Sequence, residues 1–308
     1  MEQQGKSLPR RRLGRSNLEV SALALGGAGL GGVYGDVSDA QAVEAVRYAV
    51  SQGINFVDTD ASYGDSERKI GLALRGGLRN QVVLSTKVGT HPDRRGDYSW
   101  DGVHWNVENS LRVLGTDRLD LVLVHDPEDM GPVLAPRGAF DALQSLKAQG
   151  VIGAVGLGQR SHEWHRQAIE DGRVDVILTY ADYNPIRTTA EDLLDAAARH
   201  DVGVINGSPL DFGLLTGRDP DETARQMTLK PSEQDLQSAR RLYQWCRERG
   251  LPEKAVALQF SLREPRIHAT LIGAKTADEI AQDLRDAAAP LPDGIWDELG
   301  ALDITETE

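Results

Sequence analysis

The sequence predicts an α/β protein of the (β/α)8, or TIM, barrel class, and three observations predict it. An apolar, β-rich run followed by a helical pattern recurs at intervals of roughly 30 residues. Eight such runs occur, each short and apolar on both faces, as strands covered on both sides must be. Polar residues collect where the runs end, the edge at which barrels of this class carry their sites.

In chain order, residues 8–25 alternate and turn around Gly14-Arg15-Ser16-Asn17, which suggests a short N-terminal β-hairpin ahead of the main fold. The expected barrel strands are 21–26, 55–59, 82–88, 119–125, 152–158, 175–181, 203–208 and 270–274. Helical patterns fill the intervals at 39–52, 66–74, 102–114, 137–149, 161–170 and 189–200, with a longer helical stretch from Ser232 and extra helices towards the C-terminus. Ser38-Asp39 and Thr188-Thr189 read as N-caps, and Gly53, Gly115, Gly150 and Gly172 as helix ends. A doubly wound open sheet is the rival architecture. Gly26 to Gly32 is glycine-rich, but no acid ends a second strand ~20 residues later, as a ribose-binding unit requires. With no linker or low-complexity tract, 1–308 is expected to be one domain.

Composition excludes several classes of function. A net charge of -13 argues against nucleic acid or anionic lipid as partner, because binding phosphate needs clustered Lys and Arg. The basic run Arg10-Arg11-Arg12 is followed by no apolar segment, so it is not a secretion signal. No apolar run approaches the ~18 residues of a membrane span. Cys246 is the single cysteine, which rules out an internal disulfide. A cytoplasmic protein acting on a small molecule is expected, with no metal site and no obligate protein partner.

The chain is organised around Gly53 to Gly71, GINFVDTDASYGDSERKIG. A buried strand runs out at Asp58, and Tyr63-Gly64 forms the tip of a bend before a helix begins at Asp65 or Ser66. Further strand ends carry Lys87, His125, Asp126, Gln159, Tyr180 and Asn206. Asp58, Tyr63, Lys87 and His125 together resemble the catalytic signature of the aldo-keto reductase family, and the resemblance covers nearly the whole chain. It implies hydride transfer between nicotinamide and a carbonyl or hemiacetal carbon. Tyr63 then moves the proton, Lys87 tunes the phenol, Asp58 holds Lys87 charged, and His125 orients the substrate oxygen.

The resemblance also implies a dinucleotide site. Ser208-Pro209-Leu210-Asp211-Phe212-Gly213-Leu214-Leu215 is similar to the family's pyrophosphate loop, which makes Ser208, Leu210, Gly213 and Leu215 candidate contacts. Gly273 and Lys275, with Glu279 and Asp283 on the following helix, resemble the segment holding the adenosine end. Gly27 and Asp58 complete the cofactor set. Gly158-Gln159, Tyr180 and Gly207 depart from the family pattern around nicotinamide, and Gln159 and Tyr180 are the candidate replacements. These departures, with VILTYADYNP and GVINGSPL, resemble the branch of L-galactose, L-fucose and D-threo-aldose 1-dehydrogenases and pyridoxal dehydrogenase. The implied reaction oxidises a sugar lactol to a lactone, or reduces a small or aromatic aldehyde. Tyr34, Trp100 in the long loop 91–101, and Asp126 join Tyr63 and His125 as candidate substrate contacts. NAD or NADP is the expected cofactor: Lys275 could meet a 2′-phosphate, Glu279 would repel it, and the dehydrogenase resemblance favours NAD slightly. A nicotinamide-binding regulatory subunit is the alternative from a different class.

Overall fold

The computed structural model describes residues 8–302 and 304. The expected hairpin forms from β1 (Arg10–Arg12) and β2 (Glu19–Ser21), paired antiparallel. The barrel strands follow as β3 (Leu23–Gly26), β4 (Phe56–Asp58), β5 (Val83–Val88), β6 (Leu119–His125), β7 (Ile152–Gly158), β8 (Val176–Tyr180), β9 (Gly203–Gly207) and β10 (Ala269–Ile272). They pair in parallel in chain order, and β10 closes the barrel against β3. The helices Ile295–Gly300 and Pro220–Gln226 are additional to the repeating unit. No described helix is long and apolar enough to cross a membrane.

Local chemistry explains most of the boundaries. Ser38 caps helix Asp39–Ser51 through a capping box with Gln41. Gly53, Gly115, Gly150 and Gly172 all take the left-handed conformation that ends a helix. The pair Thr188-Thr189 does not act as a cap. Helix Glu191–Arg199 begins after Ala190 without a side-chain cap, and the Ala190 amide donates to the Asp182 carbonyl instead. Trp100 is also not a loop residue. Ser99 caps the helix Trp100–Leu114 by accepting from the Gly102 amide, so Trp100 opens that helix.

Apolar side chains sort into three layers. Leu13 and Val20 of the hairpin pack with Phe56, Leu121, Leu123 and Ile205 inside the barrel. The outward-facing strand residues pack against the helices. A third cluster joins Leu214 and Leu215, just after β9, to Trp245, Val256 and Ile295 on the C-terminal helices. The hairpin seals the end of the barrel where the strands begin. Arg12 pairs with Asp201, and Gly14 lies so close to β9 that a Cβ there would stand 2.2 Å from the Gly203 nitrogen. Only the opposite end, where the strands finish, is left for a site.

Leu13 is fully buried in this plug. Leu13→Ala is expected to cost about 2–5 kcal/mol in denaturant unfolding. Turnover per folded molecule should be unchanged, because the plug lies at the far end from the strand exits. A loss under ~1 kcal/mol would show that the hairpin does not fill the barrel.

Candidate active site

The floor of the open end is a buried ion pair. Asp58 closes β4 and Lys87 lies on the adjacent β5, whose Ser85 is in register with Asp58. Lys87 Nζ donates to Asp58 Oδ2 at 2.6 Å and to the Thr59 carbonyl at 2.8 Å. The two side chains are 1% and 3% exposed, so the pair is shielded from water. Burial alone would depress the ammonium. The charges of Asp58, Tyr63 and Asp60 outweigh it and hold the Lys87 pKa above the ordinary lysine value.

Above this pair sits the turn that presents Tyr63. The glycine-rich segment after β3 is its support: a Cβ on Gly31 would stand 1.6 Å from the Tyr63 carbonyl oxygen. Gly27 serves the same packing. Its carbonyl accepts from Ser66 Oγ at 2.8 Å, and a Cβ there would meet that Oγ at 2.4 Å. Gly27 thus has a packing role of its own at this turn. Lys87 Nζ lies 4.9 Å from the Tyr63 ring centroid, and the His125 ring meets it edge-on at 5.9 Å. Burial pushes the Tyr63 phenol pKa well above its usual value. Lys87 opposes that shift, while Asp58, Asp60 and Asp126 add to it. The phenol thus carries its proton and is poised as a donor.

His125 ends β6 with both ring nitrogens facing acids. Nδ1 lies 3.0 Å from Asp60 Oδ2 and 3.0 Å from Thr90 Oγ1, while Nε2 lies 3.5 Å from Asp126 Oδ2. Tyr98 fixes the strand end by donating its hydroxyl to the His125 carbonyl at 2.7 Å. Tyr180, at the end of β8, donates to both carboxylate oxygens of Asp126 at 3.1 and 3.2 Å. Asp60, Thr90 and Tyr98 were not candidates from the sequence. Asp60 carries a usable signal, since it follows Asp58 by two residues at a strand exit, where alternate side chains share a face. Tyr98 carries none; its ring packs over Gly89, where a Cβ would stand 1.9 Å away.

Backbone strain gathers at the same end. Among the described residues, eight non-glycine residues have positive φ, and five of them (Asp126, Ala181, Ser208, Asp211 and Phe212) lie just past β6, β8 or β9.

The expected cofactor contacts divide. The Ser208 hydroxyl has no partner among the described residues, and Gly273 is exposed. Leu210 is half-buried, Leu215 is packed in the third core cluster, and Gly213 takes φ +100, so the loop is anchored from below. The Lys275 amide donates to Glu279 at 2.6 Å, while its ammonium donates to the Tyr34 carbonyl at 3.2 Å. Asp283 instead pairs with Lys254 on the preceding helix and is buried there. Gln159 uses one amide hydrogen and one oxygen lone pair on the Ser161 backbone, at 3.2 and 3.1 Å, which fixes its side chain at the end of β7. Asn206 is buried and bonded to Tyr183 and Ser261.

Two of the expected substrate contacts have partners of their own. The Tyr34 ring lies beside Gly273, at the exit of β10. Trp100 stacks under the Arg137 guanidinium at 4.6 Å and against His104, packing on the outer helices.

Asp211 in the loop after β9 is buried, and burial, reinforced by Asp235, pushes its pKa up to about 6. An acid whose folded pKa is raised stabilises the fold below its unfolded pKa, and that stability is lost as pH rises through the folded value. Asp211 therefore contributes a downward drift of melting temperature between pH ~4 and ~6, and Asp211→Asn should remove that contribution. An unchanged profile would show that Asp211 does not titrate in that window.

The chain is 28% identical to the D-threo-aldose 1-dehydrogenase of a Pseudomonas species over 318 residues, covering 95% of this chain and 97% of that protein. It is 33% identical to the L-galactose dehydrogenase of Arabidopsis thaliana over 282 residues, covering 89% and 86%. It is 29% identical to the pyridoxal 4-dehydrogenase of Microbacterium luteolum over 331 residues, covering 94% and 96%. A Pseudomonas aeruginosa structure described as an aldo-keto reductase superposes with a TM-score of 0.70 at 27% identity, covering 91% of this chain and 94% of that one. The model of the Aldo/keto reductase family matches residues 22–304, and the chain is an oxidoreductase belonging to that family.

Proposed function

We propose that the protein is an NAD(P)-dependent aldose 1-dehydrogenase that oxidises a sugar lactol to a lactone. The observation that carries this reading is the convergence of Asp58, Lys87, Tyr63 and His125 from three strand exits around one space. Aldo-keto reductases use NAD(P)(H), and the chain has groups that fit such a dinucleotide. Asp58 Oδ1 is buried without a hydrogen-bond partner, and Ser208 keeps an unspent hydroxyl. When bound, nicotinamide exchanges the hydride with the substrate carbon; the protein's own groups manage the proton.

Those groups divide the work. Tyr63 is the proton carrier for the reacting oxygen, and the Lys87 cation stabilises its anionic form. Asp58 keeps Lys87 charged and in place. His125 orients the oxygen, while Asp126 and Tyr180 line the side of the mouth where further hydroxyls of a sugar would lie. NAD is the favoured form. The Glu279 carboxylate at the Lys275 amide disfavours a second phosphate there, and the Lys275 ammonium already has a partner in Tyr34.

The reverse reaction, reduction of a small or aromatic aldehyde, has its own support. A phenol held protonated by burial is ready to give that proton to a carbonyl oxygen. A steady-state screen of both dinucleotides against L- and D-aldoses and aromatic aldehydes separates the two directions. Tyr63→Phe is expected to leave dinucleotide binding, read by fluorescence titration, near wild type. Turnover should fall by about 10²–10⁴-fold. Unchanged turnover would remove Tyr63 from the chemistry. Dinucleotide binding without any change at the nicotinamide absorbance band would favour a regulatory subunit.

A further inference from the structure

Arg160 stands at the exit of β7, and neither the ion pair of the floor nor the proton carrier uses it. The turn around it is tied down on both sides. Gln159 bonds twice to the Ser161 backbone, and its carbonyl accepts from His165 Nε2 at 3.0 Å. Ser161 caps the helix His162–Glu170 by accepting from the Trp164 amide. The side chain between them therefore leaves the backbone from a fixed point.

The Arg160 guanidinium lies 5.9 Å from the centroid of the Tyr180 ring. Tyr180 is itself held in place. Its hydroxyl donates to Asp126, its ring meets Phe212 edge-on at 6.4 Å, and a Cβ on Gly207 would stand 2.9 Å from the Tyr180 Cβ. Arg160, Tyr180 and Phe212 thus make one wall from the exits of β7, β8 and β9. This wall shares the opening with the reacting phenol. Burial raises the Tyr180 pKa, Asp126 and Tyr63 add to the rise, and Arg160 opposes it.

An anion is what the wall lacks. A guanidinium offers five N–H donors, and Arg160 gives none of them to a described residue. Other cations at or beyond the strand exits are engaged: Lys87 with Asp58, Lys275 with the Tyr34 carbonyl, Arg187 with Asp235. Asp126 takes the Tyr180 hydroxyl, and Asp211, on which Arg160 also acts, is buried in the loop after β9 without an ion pair to it. In a chain of 47 acidic and 34 basic residues, an exposed arginine at the mouth with no acid of its own is unmatched positive charge.

We infer that Arg160 is a substrate-binding residue that holds an anionic group, a carboxylate or a phosphate, borne by the sugar or aldehyde on a carbon remote from the reacting one. The inference deepens the proposed redox function and rests on it. The planar fork of a guanidinium matches the paired oxygens of either group. Along the wall, Tyr63 and His125 meet the reacting oxygen, Asp126 and the Tyr180 hydroxyl meet the hydroxyls between, and Arg160 meets the charged end. The substrate class is a uronic acid, a sugar phosphate or an aldehyde acid rather than a neutral aldose.

The test compares kcat/KM for aldoses with that for their uronic acids and terminal phosphates, and for benzaldehyde with that for 4-carboxybenzaldehyde. Wild type should prefer the anionic member of a pair by about 10-fold or more, through KM. The preferred anion identifies the group. Arg160→Met, which keeps an unbranched stem without the charge, should raise KM for that anion by about 10- to 100-fold. Its loss on the neutral member should be smaller by about 10-fold or more, and Arg160→Lys should recover part of the preference. Turnover of neutral substrates with no preference for either anion overturns the inference and leaves the redox function standing. An undiminished preference in Arg160→Met overturns it as well. Weakened dinucleotide binding in Arg160→Met with the anion preference intact puts the guanidinium on the cofactor and also overturns it. Absence of turnover in every assay sinks the redox function instead. Calorimetric titration with glucuronate, glucose 6-phosphate and glucose then still decides the anion site. Binding of an anion that Arg160→Met abolishes upholds it, and binding that the variant retains, or no binding at all, overturns it.

Discussion

The site depends on keeping a full positive charge under a phenol in a place that water does not reach. An ammonium at the position of Lys87 loses most of its hydration, and an isolated cation so placed would shed its proton. Asp58 prevents this from 2.6 Å away, and the Thr59 carbonyl takes a second hydrogen. Both partners sit on neighbouring parallel strands, so the register of β4 against β5 sets their distance. Buried ion pairs of this kind contribute little to stability, since desolvation offsets attraction. Their persistence here makes sense as electrostatics directed at Tyr63.

Three carboxylates, those of Asp58, Asp60 and Asp126, crowd the same opening, and each makes the tyrosinate harder to form. The opening is therefore divided between one cation that favours loss of the phenol proton and several anions that oppose it. Each anion has a partner of its own: Lys87 for Asp58, His125 and Thr90 for Asp60, Tyr180 for Asp126.

Much of this was legible in the chain. Strand and helix periodicities gave the barrel, because strands covered on both faces cannot avoid being apolar throughout. Asp58, Tyr63, Lys87 and His125 were legible because each ends an apolar run or lies on the turn just beyond one. What escaped depended on contacts between distant segments. Tyr98 reaches the His125 carbonyl from a loop of undistinguished composition. Trp100 and Tyr34 were aromatic residues in loops, a property that says nothing about which way a ring turns, and they found partners in Arg137 and beside Gly273. Asp283 read as a ligand for the adenosine end until Lys254, far away in a different helical pattern, claimed it. Gln159 is fixed by two bonds to its own turn, which sequence position alone does not reveal. Thr188 lost its capping role because the Asp182 carbonyl met the free amide first.

The left-handed residues after β6, β8 and β9 bear on any effort to harden this protein. Each such residue costs on the order of 1–3 kcal/mol, a reserve that glycine would release locally. Glycine at Asp126 or Ser208 would also enlarge the range of shapes the unfolded chain explores and slacken the rim that holds Tyr180 and the loop after β9. Toughness gained at these positions would thus come with a blurred rim. Thermal engineering is better aimed at the sealed end, where hairpin and strand starts meet and no small molecule has to be recognised.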